Sequence, residues 1–243
     1  MASVPLARPA ALTELGQATL RRLMRVWFEF ERGLATVPII RRLDLGTFTR
    51  EDYQNLLLNL RPQVIEGSRW ISRCASSFDR DHSDIRSVIL RHAHDEHRDY
   101  EMLEEDFVAT GGTLERVRAQ PKNNGSEALH AFLMFRSGEP NPSSLLGAMW
   151  IVEGLGEKMA VNWAARIEQL TGFDSRCTRF LRYHASNDDS HMDKLYALID
   201  RLCTSRAAAD AVVSTAQIVG RLYAWQLEEI DDGLCSRPAH PLS

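Results

Sequence analysis

Three side chains that can bind a metal ion fall on one face of a predicted helix. His184, Asp188 and His191 are spaced by four and three residues, which at about 100° per residue places them nearly on one line. That line is otherwise apolar, since it runs through Leu181 before the triad and Leu195 after it. Burying two imidazoles and a carboxylate without partners is costly, so a bound cation is the most economical compensation. The alternatives are a buried hydrogen-bonded cluster and a helix that faces solvent at this point.

A second predicted helix, over about 84–110, also carries polar side chains on its apolar face. Glu96, Asp99 and His92 belong to that face, whereas His97 lies on a neighbouring one. We rank these residues as ligands in the order Glu96, Asp99, His92 and His97. The alternative is a charged turn in contact with solvent.

Two further glutamates are candidate ligands. Glu153 lies in the middle of a run that is almost free of polar side chains, where an ionised carboxylate needs a cation or an arginine. Glu66 shares a helical stripe with Trp70, and its alternative role is a surface salt bridge to Arg69 or Arg73.

Together these positions offer carboxylates from three helices, and two histidines and an aspartate from a fourth. One catalytic ion uses fewer ligands, so the set suits two adjacent ions that share a bridging carboxylate. Mixed carboxylate and imidazole ligation favours iron or manganese over zinc, which more often takes Cys and His, and over magnesium or calcium, which prefer oxygen. The sequence therefore predicts a site for two Fe(II) ions, with manganese as the alternative metal.

Helical periodicity extends through almost the whole chain, and no segment shows the sustained alternation of a strand. We predict an all-α, single-domain bundle over 1–243 with about seven helices, an N-terminal arm (1–12) and a C-terminal tail (234–243) that are loosely held. The predicted helices cover about 15–40, 49–74, 84–110, 127–135, 144–170, 175–203 and 207–230.

Composition excludes several classes of function. The net charge is −4 with acids and bases interspersed, which gives no basic face for nucleic acid. No stretch approaches the roughly 18 apolar residues of a membrane span, and the first residues lack the apolar core of a secretory signal. The four cysteines form no CxxC pair, so we expect reduced core residues rather than a zinc ribbon or disulfide framework. These features predict a cytoplasmic protein.

These residues resemble the haem-oxygenase-like di-iron oxidases and oxygenases, within the TenA/PqqC-like helical superfamily. The resemblance covers about 34–230, and its specific part is His184-x3-Asp188-x2-His191 with Glu153 some thirty residues upstream. The chain departs from the common pattern at one place, because it has Glu96-x-x-Asp99 where relatives read Glu-x-x-His. The family's ligand positions correspond to Glu66, Glu96, Glu153, His184, Asp188 and His191, with Asp99, or a neighbouring histidine, in place of the missing His.

The resemblance implies an enzyme that uses two Fe(II) ions and O2 as co-substrate to oxidise a small metabolite, with an external electron donor and a homodimeric assembly as further expectations. N-oxygenation of an amine or nitrogen heterocycle is the favoured reaction. The alternative reaction with the same cofactor is oxidative C–C cleavage or decarboxylation of an amino or fatty acid.

Four other interpretations stay open. A ferritin-like bundle would have to pair Glu127-x-x-His130 with Asp188-x-x-His191, which leaves His184 without a role. A true haem oxygenase needs an axial histidine in its first helix, yet the first histidine here is His82. A cofactor-free TenA/PqqC-like hydrolase or oxidase shares the fold; a hydrolase of this kind would use a cysteine nucleophile, for which Cys177 and Cys203 are candidates. A non-enzymatic binding role is the last alternative.

Overall fold

The structure is a computed structural model that describes residues 12–231, apart from the side chains of 185–193. In this part of the chain we find α-helices joined by short turns and no strand. The helices are α1 (Glu14–Leu34), α2 (Pro38–Leu45), α3 (Arg50–Val64), α4 (Gly67–Ser77), α5 (Ser83–Glu96), α6 (Asp99–Ala109), α7 (Leu114–Ala119), α8 (Asn124–Ser137), α9 (Leu146–Leu155), α10 (Val161–Thr171), α11 (Arg179–Leu202) and α12 (Arg206–Glu228).

The all-α prediction is confirmed, but the expected number of helices was too low. Four predicted helices are each divided in two, and the short α7 was not expected. Proline accounts for two of the divisions: Pro38 starts α2, where its missing N–H costs nothing, and α3 ends two residues after Pro62. Between α9 and α10 the helical path continues through a π-helical turn, Gly156–Ala160.

Two helix ends show how local sequence fixes the boundaries. Thr49 and Asp52 form the expected capping box at the start of α3, each side chain bonding the backbone N–H of the other. Gly172 ends α10 in the left-handed conformation at φ 69°, which a glycine adopts without steric cost. Between these ends α3 packs against α6, and α10 packs against α11.

The buried core continues through the bundle and brings the predicted ligand helices together. α11 packs against α9, α6 and the π-helical turn, and α5 packs against α4. α9 and α12 cross closely at Gly147, where an added Cβ would lie 2.0 Å from the carbonyl oxygen of Val212. The helix that carries Glu153 is thereby held tightly in the interior. Among the helices described, none is long and apolar enough to cross a membrane.

Candidate metal centre

The end of α5 and the start of α6 carry three of the candidate ligands. His92 and Glu96 are four residues apart in α5, so their side chains point to the same side of the helix. The helix stops at Glu96, the chain turns through His97 and Arg98, and Asp99 begins α6. Ligand atoms of Glu96 and Asp99 lie within 4.8 Å of each other although the two residues belong to different helices.

One group of ligand atoms joins α5 to α9. The Nε2 atom of His92 lies 3.2 Å from Oε1 of Glu153. One ligand atom from each of His92, Glu96 and Glu153 falls within 4.8 Å of the other two. Glu153 is only 4% exposed, which agrees with its place in an apolar run of sequence. The π-helical turn begins three residues later, and such turns are frequent at functional sites.

A second group joins the same turn to α11. The Nε2 atom of His184 lies 3.3 Å from Oδ2 of Asp99. Ligand atoms of Glu96, Asp99 and His184 lie within 4.8 Å of one another, and Asp99 is 5% exposed. Glu96 therefore belongs to both groups. We call the five residues His92, Glu96, Asp99, Glu153 and His184 the cluster.

Burial and charge shift the protonation of the cluster. Burial and the nearby charge of Glu153 raise the pKa of Glu96 to about 7. Burial opposes the charged form of His92, but its hydrogen bond to Glu153 and the charges of Glu153 and Glu96 outweigh that effect and raise the pKa of His92. The carboxyl group of Glu96 therefore keeps its proton to a higher pH than an ordinary glutamate does.

Among the described residues, Glu66 is not in either group, so its place among the ligands stays a prediction. Its carboxylate accepts a hydrogen bond from Lys122 at 2.9 Å and from Arg69 at 2.6 Å. The Arg69 contact is the salt bridge that the sequence offered as the alternative. Glu66 follows the end of α3 and occupies the N-cap position of α4 without a side-chain cap bond, and His130 of α8 lies 4.0 Å from its carboxylate.

The remaining predicted ligands fall into two classes. Asp188 and His191 lie on α11 after His184, but their side chains are outside the described residues. His97 is exposed, and its ring stacks on that of His94, 5.3 Å away between centroids. Of the three histidines on this helix and turn, the structure brings His92 to the cluster. Asp99, which the sequence ranked above His92, is in the cluster as well.

The donors of the cluster fit iron. Three carboxylates and two imidazoles offer oxygen and nitrogen atoms only, a set that suits iron or manganese better than the thiolate-rich sites of structural zinc. Glu96 has two carboxylate oxygens and lies between the other donors, as a bridging ligand must. Each of the two groups could hold a metal ion, and Glu96 belongs to both.

A cavity of about 850 Å³ opens beside the cluster, and sequence reasoning did not find it. His92 and Glu153 lie in its wall, so a molecule inside would reach the cluster directly. The available sequence signal was a stripe along α4 and the residue after it, in which Trp70, Cys74 and Phe78 recur every four residues. The apolar part of the lining comes from four helices and a turn and comprises Trp70, Ile71, Cys74, Phe78, Val88, Ile89, Leu145, Leu146, Met149, Leu195, Leu198 and Leu202.

Family comparison agrees with this site. Residues 54–224 match the model of a family described as iron-containing redox enzymes. The chain therefore belongs to the iron-containing redox enzyme family, and this match includes every residue of the cluster. Comparison with curated proteins gives no significant match.

Solved structures show the same fold at low sequence identity. A domain of unknown function with a haem-oxygenase-like fold from Shewanella denitrificans superposes with a TM-score of 0.82 at 18% identity, covering 93% of this chain and 97% of that one. A TenA homologue from Pseudomonas syringae gives 0.72 at 14% identity, with 96% and 98% covered. A TenA homologue from P. horikoshii gives 0.68 at 14% identity, with 92% and 100% covered. The fold is haem-oxygenase-like, as the sequence resemblance implied.

Proposed function

We propose that this protein is an O2-dependent di-iron oxidase or oxygenase that oxidises a small molecule. The observation that carries the proposal is the position of Glu96 in both three-residue groups, because its carboxylate could then be shared by two adjacent ions. His92 and Glu153 would complete one ion's ligands, and Asp99 and His184 the other's. Asp188 and His191 are proposed as additional ligands on the ground of the resemblance.

Two ferrous ions held by these residues would supply the electrons with which dioxygen is activated. The protein's own contribution is to position them and to shape the space beside them. Glu153 is fixed on a tightly packed helix, and Asp99 with His184 ties α6 to α11. The apolar walls of the cavity exclude water from a molecule lying against His92.

The finer reaction is a proposal of the same kind. The sequence favoured N-oxygenation of an amine or nitrogen heterocycle, with C–C cleavage or decarboxylation of an amino or fatty acid as the alternative. The mostly apolar cavity supports a substrate with an apolar body over a small, fully polar metabolite. Product analysis by mass spectrometry separates the two reactions, because only N-oxygenation keeps the carbon skeleton and gains oxygen.

A thiol-based hydrolase of the TenA type is less well supported by the cysteines. Burial raises the pKa of Cys74 to about 12 and that of Cys203 to about 11, and burial with the charge of Asp174 raises that of Cys177. A nucleophilic cysteine needs a lowered pKa, so none of these three thiols is activated. Cys235 is outside the described residues.

Ferrous loading without oxygen tests the proposed function. We expect two irons per chain by elemental analysis and, on mixing with O2 in a stopped-flow spectrometer, a transient visible absorption band. His191→Ala should lose one iron and the transient, whereas His97→Ala, which alters an exposed histidine outside the cluster, should keep both. A chain that binds no iron, or iron that does not react with O2, contradicts the proposal.

A further inference from the structure

The mouth of the cavity beside the cluster lies between α5 and α11. Residues that line a cavity and also reach solvent mark its rim, and each of these two helices carries a row of them. The row on α5 is exposed and comprises Asp84, Ser87, Arg91 and Asp95. The row on α11 comprises Lys194 and Arg201, which are about two turns apart and so lie on one side of the helix. A molecule that enters the cavity at this rim passes between the two rows.

One ion pair bridges the two rows. The carboxylate of Asp84 on α5 pairs with the guanidinium group of Arg201 on α11. Their side chains are 53% and 44% exposed, and an ion pair in contact with water stabilises a protein only weakly. The pair can therefore break and form again without a change in the core. Both residues line the cavity, so the bridge stands directly in front of it.

α5 is held to the rest of the bundle mainly along one side. It packs against α4, and its buried residues are Ile85 and Ala93. Val88 and Ile89 lie between them and line the cavity, whereas Leu90 is 51% exposed. A helix with a cavity on one side and solvent on another can turn about its contact with α4 while few packed side chains separate.

Both ends of α5 allow such a turn. A 3-10 turn, Arg80–His82, precedes the helix, and the break at His97 and Arg98 separates it from α6. Short 3-10 segments are common as connectors and often mark hinges. At the cluster end, the contact between His92 and Glu153 links α5 to α9. The ion pair with Arg201 closes the opposite end of the helix.

We propose that α5 is a lid over the cavity, hinged along α4, and that the ion pair between Asp84 and Arg201 is the latch that holds it closed. When the pair breaks, the Asp84 end of α5 moves away from α11 and the cavity opens between the two rows. When the pair forms, Val88 and Ile89 return to the cavity wall. This inference goes beyond the proposed function and does not depend on it, because the latch works in the metal-free protein.

Entry of the neutral dye Nile red into the full-length, metal-free protein tests the latch in a stopped-flow fluorimeter. Asp84→Asn should speed entry about two- to fivefold, as expected for loss of one exposed ion pair, whereas Asp81→Asn on the preceding turn should not. Added salt should speed entry into the unaltered protein and have no effect on Asp84→Asn, since salt screens the pair. Met149→Trp fills the cavity and should suppress the fluorescence signal, which places the dye inside. Equal entry rates for Asp84→Asn and the unaltered protein contradict the latch.

A covalent bridge in place of the ion pair tests the lid. Asp84→Cys and Arg201→Cys are joined by a short bismaleimide in a Cys235→Ser background, where the remaining cysteines are buried. We expect dye entry to slow by a factor on the order of ten, because the lid can no longer open. The matched control joins Arg22→Cys and Asp210→Cys, an exposed ion pair between α1 and α12 that does not line the cavity, and should change nothing. Equal entry rates with and without the bridge between α5 and α11 overturn the proposal.

Hydrogen exchange decides the matter if the dye does not enter. Measured by mass spectrometry on the metal-free protein, the amides of α5 should exchange faster in Asp84→Asn than in the unaltered protein, while those of α9 should not change. The bismaleimide bridge should slow exchange in α5. Unchanged exchange of α5 in both samples contradicts the lid. Circular dichroism checks that each variant is folded.

Discussion

A carboxylate oxygen of Asp106 accepts the backbone N–H of Phe180 at 2.9 Å, so α6 caps the first turn of α11. The other carboxylate oxygen accepts the N–H of Arg179 at 3.2 Å. The first N–H groups of a helix have no partner within the helix, and here they are buried against a residue seven positions after Asp99. The contact thus fixes α11 close to where Asp99 meets His184.

We expect Asp106→Ala to destabilise the protein by about 1–3 kcal/mol, because two backbone donors would lose their acceptor. Urea denaturation followed by circular dichroism measures the loss. Asp174→Ala is the matched control, since Asp174 caps a short turn at the surface and its removal should cost less. Equal losses for the two variants would show that the cap on α11 has no special importance.

Removing Glu96 should have a larger effect on metal content than removing any other residue of the cluster. Because Glu96 belongs to both groups, we expect Glu96→Ala to lose both irons. His92→Ala and His184→Ala should each lose about one, since each takes part in one group. Elemental analysis after anaerobic ferrous loading gives the ratios. A Glu96→Ala protein that retains one full equivalent would mean that the ions share no carboxylate.

The metal-free protein should become less stable as the pH rises from about 4.5 toward about 7. Glu96 has its pKa raised from 4.5 to about 7 in the folded state, so in this window the folded chain keeps a proton that the unfolded chain has lost. The stabilisation is full below the unfolded pKa and disappears above the folded one, a difference on the order of 3 kcal/mol.

Chemical denaturation at several pH values in the presence of a chelator measures the slope of the free energy of unfolding against pH. Glu96→Gln, which cannot ionise, should flatten it, whereas Glu127→Gln on the surface of α8 should leave it unchanged. Saturating Mn(II) should reverse the trend, because the ion binds the deprotonated carboxylate. If Glu96→Gln and the unaltered protein show the same dependence of stability on pH, the effect arises from other groups.

Glu66→Gln should keep the metal and lose stability. In the unaltered protein the carboxylate of Glu66 forms an ion pair with Lys122, whose side chain is largely buried. The variant leaves that ammonium group without its anionic partner. We expect a loss of about 1–3 kcal/mol with two irons per chain still bound. Loss of iron without loss of stability would instead restore Glu66 to the ligand set.

Substitution at the crossing of α9 and α12 should show how rigidly Glu153 is held. Gly147→Ala places a methyl group 2.0 Å from the carbonyl oxygen of Val212, so the helices must separate and we expect a lower melting temperature and weaker iron binding. Gly33→Ala is the matched control, because an added Cβ there meets nothing within 4 Å. That control should be neutral or more stable, since alanine favours a helix by about 1 kcal/mol over glycine.

Much of this architecture could be predicted because helical periodicity marks buried faces. The all-α fold, the capping box at Thr49 and the burial of Glu153 each follow from a pattern of a few neighbouring residues. The interruption after Glu96 could not be predicted in this way, since no proline or glycine marks it. The predicted face is nevertheless kept across this boundary, since His92, Glu96 and Asp99 all belong to the cluster.

The partner of Glu66 was harder to predict for a different reason. A stripe on one helix shows which side is buried but not which helix lies opposite. Lys122 is in the segment before α8, far from Glu66 in sequence, and only the tertiary arrangement brings the two together. The cavity beside the cluster was difficult to predict for the same reason, because its walls come from separate parts of the chain.

The two sides of the cluster differ in stiffness, and this bears on which ions it can accept. On α9, an added Cβ at Gly147 would collide with the backbone of Val212 and one at Gly154 with the ring of Trp27, so Glu153 has little freedom to move. On α5, which supplies His92 and Glu96, only Ile85 and Ala93 are fully buried. A coordination sphere with one fixed side and one adjustable side can change its size without disturbing the core. Discrimination between ferrous and manganous ions of different radius would then depend on their supply more than on the geometry of the site.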